Sequence, residues 1–230
     1  KKELEKEGYN FKSSTDSEVA AALIDKLYKE NKDMLKTLVI LKDKLKGSYA
    51  FNIINSDIPY IIIRPTHIYG PENNLYRETY FFDRIREGKA IPVPSDRNEP
   101  VLNQFIYIDD FVRVLYSLTK NDKVREIYNV STPQNITWKK FIETCGEVMG
   151  KEPIIKYVDS DKIKIKERSY FPFKNTSCIL EIEKLIDHGL YIPNILLEKG
   201  LRKTYEWYIK KKPRMNDEKM VEVEQVLKIV

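Results

Sequence analysis

The sequence predicts an α/β fold, and three observations carry that prediction. From residue 60 onward, short apolar runs alternate with segments of helical period. The first run, Tyr60–Ile63, is unbroken and apolar, as in a strand of a parallel sheet covered on both faces. Glycine then follows the helical segments at Gly88, Gly150 and Gly189, where a left-handed residue closes a helix.

In chain order, residues 1–30 read as helical on both sides of a loop at Gly8–Ser14. Thr15-Asp16-Ser17-Glu18 has the form of a capping box, with the hydroxyl and the glutamate satisfying each other's backbone amides. Behind it Val19, Ala22, Leu23 and Leu27 fall on one face. Asp33 opens a second helix carrying Leu35, Leu38, Val39, Leu41 and Leu45, which Gly47 ends. Ser48–Ile54 alternates as a strand does, and Tyr60–Ile63 follows a proline. Helix 75–87 comes next, then strand 104–108 running into helix 109–119, which Asp109 and Asp110 would cap. Strand 127–130 leads to helix 137–149, strand 154–158 to a basic loop, helix 179–188 to helix 194–212, and a polar helix closes the chain.

Composition narrows the function classes. The 230 residues contain 42% hydrophobic and 11% aromatic residues, enough for a core. Lys+Arg 40 against Asp+Glu 35 leaves +5, spread along the chain, so no nucleic-acid partner is expected. Apolar runs are too short for a bilayer, and Lys-Lys-Glu-Leu-Glu-Lys has no apolar segment behind it, which predicts a soluble, cytoplasmic chain without membrane partner or secretory signal. Cys145 and Cys178, without C-x-x-C spacing, read as buried thiols. His67 and His188 stand alone, so no metal site is expected. The eight glycines spell neither G-x-G-x-x-G nor a P-loop, and no G-x-S-x-G occurs. Tyr28 to Lys32 and Tyr208 to Lys212 fit Tyr-x-x-x-Lys, but neither follows a serine-bearing strand, and both read as coincidence in a chain rich in Tyr and Lys.

Two resemblances meet near residue 56. Residues 1–55, through Glu7-Gly8-Tyr9-Asn10-Phe11-Lys12-Ser13-Ser14-Thr15-Asp16-Ser17-Glu18-Val19 and Leu45-Lys46-Gly47-Ser48-Tyr49-Ala50, resemble a slice of the glutamine amidotransferase domain of the glutamine–fructose-6-phosphate aminotransferase family. That resemblance implies an α+β fragment in which Asp16 falls on the aspartate that binds the glutamine amino group. The same aspartate also suits the first turn of a helix, whose dipole favours a negative charge. The family's cysteine nucleophile and oxyanion segment have no counterpart in the slice.

Residues 56–212 resemble the C-terminal half of an extended short-chain dehydrogenase/reductase, the NAD-dependent sugar-nucleotide epimerase/dehydratase family. The carrying segments are Ile63-Arg64-Pro65-Thr66-His67-Ile68-Tyr69-Gly70-Pro71, Gln104-Phe105-Ile106-Tyr107-Ile108-Asp109-Asp110-Phe111 and Ile127-Tyr128-Asn129-Val130. The resemblance implies a partial Rossmann-like fold, NAD(P) as cofactor and a nucleotide-sugar substrate. It places Pro65 and His67 beside the nicotinamide, and Thr66, Asn73, Asn74, Asn103 and Gln104 in the sugar-nucleotide site. Three places depart from the pattern: His67 stands where the family commonly has Asn, Asn103 where an Arg grips the diphosphate, and Glu167-Arg168-Ser169-Tyr170-Phe171-Pro172 where an Arg-x-Gly-Asp-like diphosphate loop follows. An imidazole merely packed in a loop is an equal reading of His67. The glycine-rich turn and the catalytic tyrosine–lysine pair are missing from this sequence. The expectation is therefore a hybrid chain, with 213–230 as a polar tail, no catalytic residue, no NAD(P) binding on its own, no activity alone, and strand faces left uncovered for self-association.

Overall fold

The computed structural model describes residues 2–11, 16–33, 36–37, 40–41, 60–95, 99–121, 125–211, 213 and 218–230. The chain divides into two compact units, residues 1–53 and 54–230. In the first, helix α1 spans Lys2–Lys6 and helix α2 spans Asp16–Asn31. Leu4, Ala20, Leu27 and Leu41 are its buried apolar residues. Val19, Ala22 and Leu23, expected on the core face, are only half-buried. Tyr9 donates its hydroxyl to Asp25 (2.8 Å), and Lys26 pairs with Glu7 (2.5 Å). The capping hydroxyl of Thr15 and the strand expected at 48–54 lie outside the described residues.

The second unit is built on parallel strand pairs. β1 (Ile61–Pro65) pairs in parallel with β6 (Glu126–Val130), from Ile61↔Glu126 to Pro65↔Val130. One residue later β2 (His67–Tyr69) pairs in parallel with β5 (Phe105–Tyr107), starting at His67↔Phe105. Thr66 is the joint: its amide still bonds the Val130 carbonyl (3.1 Å) as the chain passes from one neighbour to the other. β3 (Ile91–Pro94) pairs in parallel with β8 (Ile155–Val158). β4 (Leu102–Asn103) and β7 (Ile136–Thr137) form a short antiparallel pair. Strands β2, β3, β4 and β7 carry no clear signal in the sequence. They are short, and β3 carries two prolines, so no alternation marks them.

The helices are α3 (Glu78–Arg86), α4 (Ile108–Thr119), α5 (Trp138–Met149), α6 (Ser160–Ile163), α7 (Glu183–Asp187), α8 (Leu197–Lys211) and α9 (Val223–Leu227). α5 follows its sequence signals: Thr137 accepts the Lys140 amide at the N-cap, and Gly150 ends it in the left-handed region at φ 65°.

Four expectations are corrected. Helix 75–87 begins only at Glu78, because Asn73 accepts the Leu75 amide and holds the preceding turn out of the helix. Helix 179–188 shrinks to Glu183–Asp187, because Cys178 and Leu180 are bonded to the β4 segment through Leu102 and Gln104. Asp109 and Asp110 do not cap α4; Tyr107 is its N-cap, without a side-chain bond. The tail is not simply polar: Met220, Val223 and Val226 enter the core, and Glu224 pairs with Arg84 at 2.8 Å.

That core is aromatic. Phe81, Phe82, Phe105, Trp138, Phe141, Tyr170, Phe171 and Phe173 are all buried in it. A second cluster, with Val114, Leu118, Tyr128 and Leu185, lies around β6 and α4. Cys145 is buried as expected, whereas Cys178 is only half-buried, at an isolated bridge to Asn103. Gly200 lets α8 approach β2: a Cβ there would stand 2.1 Å from the Tyr69 hydroxyl and 2.7 Å from its ring. Tyr69 is buried and cannot swing away. Gly200→Ala is expected to destabilise the unit by about 1–3 kcal/mol through overpacking. Denaturant unfolding checks this, and an unchanged midpoint would show that the helix shifts freely.

Candidate functional site

In open α/β sheets a crevice forms at the carboxyl ends of strands where neighbouring strands part company. Here that place is the end of β1, where the chain leaves β6 for β5. Thr66, buried at the joint, bonds its hydroxyl to that of Ser131, just beyond β6 (2.6 Å). The loop after β2 lines a cavity of about 350 Å³ together with Thr66 and Ile108, and Asn73, Asn74 and Arg77 are on its wall.

The loop is held by a buried carboxylate. Glu78, 1% exposed, accepts from Asn73 Nδ2 (3.0 and 3.2 Å) and from the Gly70 amide (3.3 Å). Burial pushes its carboxyl up to about 7, against the hydrogen bonds and the Arg77 charge. Gly70 has φ +143°, and a Cβ there would meet Ile108 Cγ2 at 2.6 Å, so the turn needs glycine.

On the strand's other side His67 faces Phe105, Trp138 and Phe173, with ring centroids 5.2–6.3 Å away. Its Nε2 is 3.2 Å from Asn103 Oδ1. The amide oxygen can only accept, so this tautomer carries its proton on Nε2 and leaves Nδ1 as an acceptor. Burial, with the Arg77 charge second, lowers the imidazole to about 4, so His67 is neutral at physiological pH. Asn103 is fully buried, yet its Nδ2 has no hydrogen-bond partner among the described residues.

The expected site residues thus divide. His67 and Asn103 are brought together on one side of the strand, and Asn73 and Asn74 share the cavity wall with Thr66 on the other. Pro65 ends β1 exposed. Gln104 has its amide committed to Asn135 (3.1 Å) and to the Leu180 amide (2.9 Å). Asp16 starts α2 in the other unit. Sequence reasoning missed Arg77, Glu78 and Phe173. Arg77 lies over the Phe173 ring at 5.2 Å, a contact that no spacing announces.

A family model described as the NAD dependent epimerase/dehydratase family matches residues 48–131. The UDP-glucose 4-epimerase of Thermotoga maritima, solved with UDP-glucose, is similar with a TM-score of 0.53 and 23% identity, over 68% of this chain and 48% of that one. At that identity the likeness shows the fold alone, a Rossmann-like α/β architecture. An Arabidopsis thaliana chloroplast stem-loop binding protein of 41 kDa is 29% identical over 145 residues, 62% of this chain and 38% of the relative. A glutamine–fructose-6-phosphate aminotransferase of Fusobacterium nucleatum is 46% identical over 59 residues, 26% of this chain and 9% of that enzyme. The chain therefore spans well under two thirds of the relatives it matches. Among the described residues no helix is long and apolar enough to cross a membrane.

Proposed function

We propose that residues 56–212 are the substrate-binding part of an NAD(P)-dependent epimerase/dehydratase that acts on a nucleotide sugar. The observation that carries this reading is the change of strand neighbours at Thr66, with the cavity lined by the following loop at that point. Thr66, Asn73 and Asn74 would meet the sugar end of the ligand there.

When bound, the dinucleotide supplies hydride acceptance and return at a sugar carbon. The described residues do not fit its diphosphate. The usual cradle is a glycine-rich strand-to-helix turn that aims backbone amides at the phosphates. Here Gly88, Gly150 and Gly189 follow helices, Gly146 and Gly200 pack within them, and Gly70 is filled by Ile108. No hydride step is assigned to this chain, and it is read as inactive alone, with Pro65 and His67 at most a border to the nicotinamide. Residues 1–55 are read as an inert slice of an amidotransferase domain. Asp16 alone cannot cleave an amide, which needs a nucleophile beside an oxyanion hole.

UDP-glucose is expected to raise the thermal midpoint in a concentration-dependent way, while NADH fluorescence shows no saturable enhancement. Absence of stabilisation by any of a panel of nucleotide sugars would overturn the substrate reading. Saturable NADH enhancement would overturn the expectation that the lone chain does not bind the dinucleotide. A stem-loop RNA belongs in the same assay: its binding without nucleotide-sugar binding would favour the function named for the plant relative.

A further inference from the structure

Glu78 is the inner anchor of the loop that lines the cavity at the end of β1. Besides its own amide, its carboxylate accepts from Asn73 Nδ2 (3.0 and 3.2 Å) and from the Gly70 amide (3.3 Å), and both residues line that cavity. A carboxylate only accepts, so the Asn73 amide turns its nitrogen toward Glu78 and its oxygen toward the Leu75 amide (3.1 Å). The contacts thus run from the first residue of α3 through Asn73 to Leu75, a third lining residue. At the outer side Trp207 of α8 donates to Glu72 Oε1 (3.0 Å), and Glu72 sits in the left-handed region at φ 61°. A residue other than glycine keeps that conformation only where its surroundings impose it. The loop is therefore shaped from outside itself.

We infer that Glu78 is the positioning residue of this cavity: its carboxylate, acting through Asn73 and Gly70, holds the 70–77 loop in the shape that receives the nucleotide sugar. This inference rests on the substrate reading proposed above, and it adds which side chain orders the wall and by what means. Glu78 is 1% exposed and stands behind the wall, so it acts on the ligand only through the residues it holds.

The means is charge. Donors bond an ionised carboxylate about twice as strongly as a neutral one, so protonation loosens the loop. In this fold that happens near neutrality, because burial brings the carboxyl up to about 7. Arg77, its neighbour in sequence, favours the ionised form. Tyr69 of β2 and Cys145 of α5 feel the same charge, and burial keeps both protonated well past that range. Affinity for the ligand should therefore rise with pH as Glu78 ionises. The charge of the ligand, a diphosphate diester, stays constant there.

Calorimetric titration of the full chain with UDP-glucose at constant ionic strength tests the role. From about pH 6 to about pH 8 the wild-type affinity should rise roughly tenfold, the ratio of ionised fractions for a group titrating at about 7. Glu78→Gln should bind roughly tenfold more weakly than wild type at the upper end and show no slope. Asn73→Ala should weaken binding similarly and blunt the slope. Adding it to Glu78→Gln should cost little more, because both break one chain of contacts. Glu198→Gln, at an exposed carboxylate paired with Arg202, should leave affinity and slope unchanged. Circular dichroism verifies folding, and the wild-type slope with Asn73→Ala decides the matter if Glu78→Gln does not fold. A flat wild-type profile, or a slope that persists in Glu78→Gln, would overturn the positioning role while sparing the nucleotide-sugar reading. A wild-type chain that binds no nucleotide sugar of the panel at any of these pH values would overturn that reading, and this role with it.

Discussion

Asp110→Ala is expected to lower the thermal midpoint by roughly 10 °C, the largest effect of any single polar substitution in the second unit. Asp110 is fully buried in the first turn of α4. Its carboxylate accepts from the backbone amides of Asn194 (2.8 Å) and Ile195 (2.6 Å) and from the Tyr191 hydroxyl (2.7 Å). Arg113 stands at 3.9 Å. One side chain therefore ties α4 to the segment that leads into α8. Removing it strands these donors, at a cost of about 3–5 kcal/mol, since hydrogen bonds to a buried charge are expensive to break from one side. For a chain of this size each kcal/mol moves the midpoint by about 2–4 °C. Asp110→Asn keeps one acceptor oxygen and should fall between wild type and alanine. Hydrogen exchange at the Asn194 and Ile195 amides should accelerate with the loss. A midpoint within 2–3 °C of wild type would show that water replaces the carboxylate at little cost.

Asp110 also shows where sequence reading stops. Its position after an apolar strand marks a helix start, and α4 does begin there. What the side chain bonds lies more than 80 residues away, and no local pattern encodes that partner. Elements whose signals are local are legible: Thr137 and Gly150 bracket α5, and the apolar run at Ile61–Ile63 is a parallel strand. The candidate site is legible in part. Thr66 and His67 follow from the motif after β1, and Asn103 from the strand before α4. Arg77 and Glu78 are invisible because a charged pair at a helix start ordinarily reads as solvated. Only burial by the Gly70 turn and Phe173 gives them meaning. The tail does carry a local signal: Val223, Val226, Leu227 and Val230 stand at i, i+3, i+4 and i+7 among charged residues, the spacing of one helical face, and Val223 and Val226 enter the core.

The last expectation concerns two groups whose pH effects oppose each other. Glu78 has an ordinary value of 4.5 and is raised to about 7 by burial in the fold. Between those values the folded chain holds a proton that the unfolded chain releases, so stability falls as pH rises from about 4.5 to about 7. His67 has an ordinary value of 6.5 and is lowered to about 4, by burial first and the Arg77 charge second. Between those values the unfolded chain holds the proton, so this contribution is lost as pH falls from about 6.5 to about 4. Each shift corresponds to roughly 3 kcal/mol over its full window. The two slopes have opposite sign and overlap from about 4.5 to 6.5, where this pair should leave stability nearly flat. Single substitutions remove that balance in opposite directions. Glu78→Gln should make the chain lose stability as pH falls from 6.5 to 4, because His67 then acts unopposed. His67→Gln should make it lose stability as pH rises from 4.5 to 7, because Glu78 does. Urea unfolding of the three proteins at half-unit pH steps measures the slopes. Parallel pH profiles for both variants would rule out the opposed pair, whereas slopes of opposite sign place a neutral imidazole and a half-titrated carboxyl on either side of Arg77.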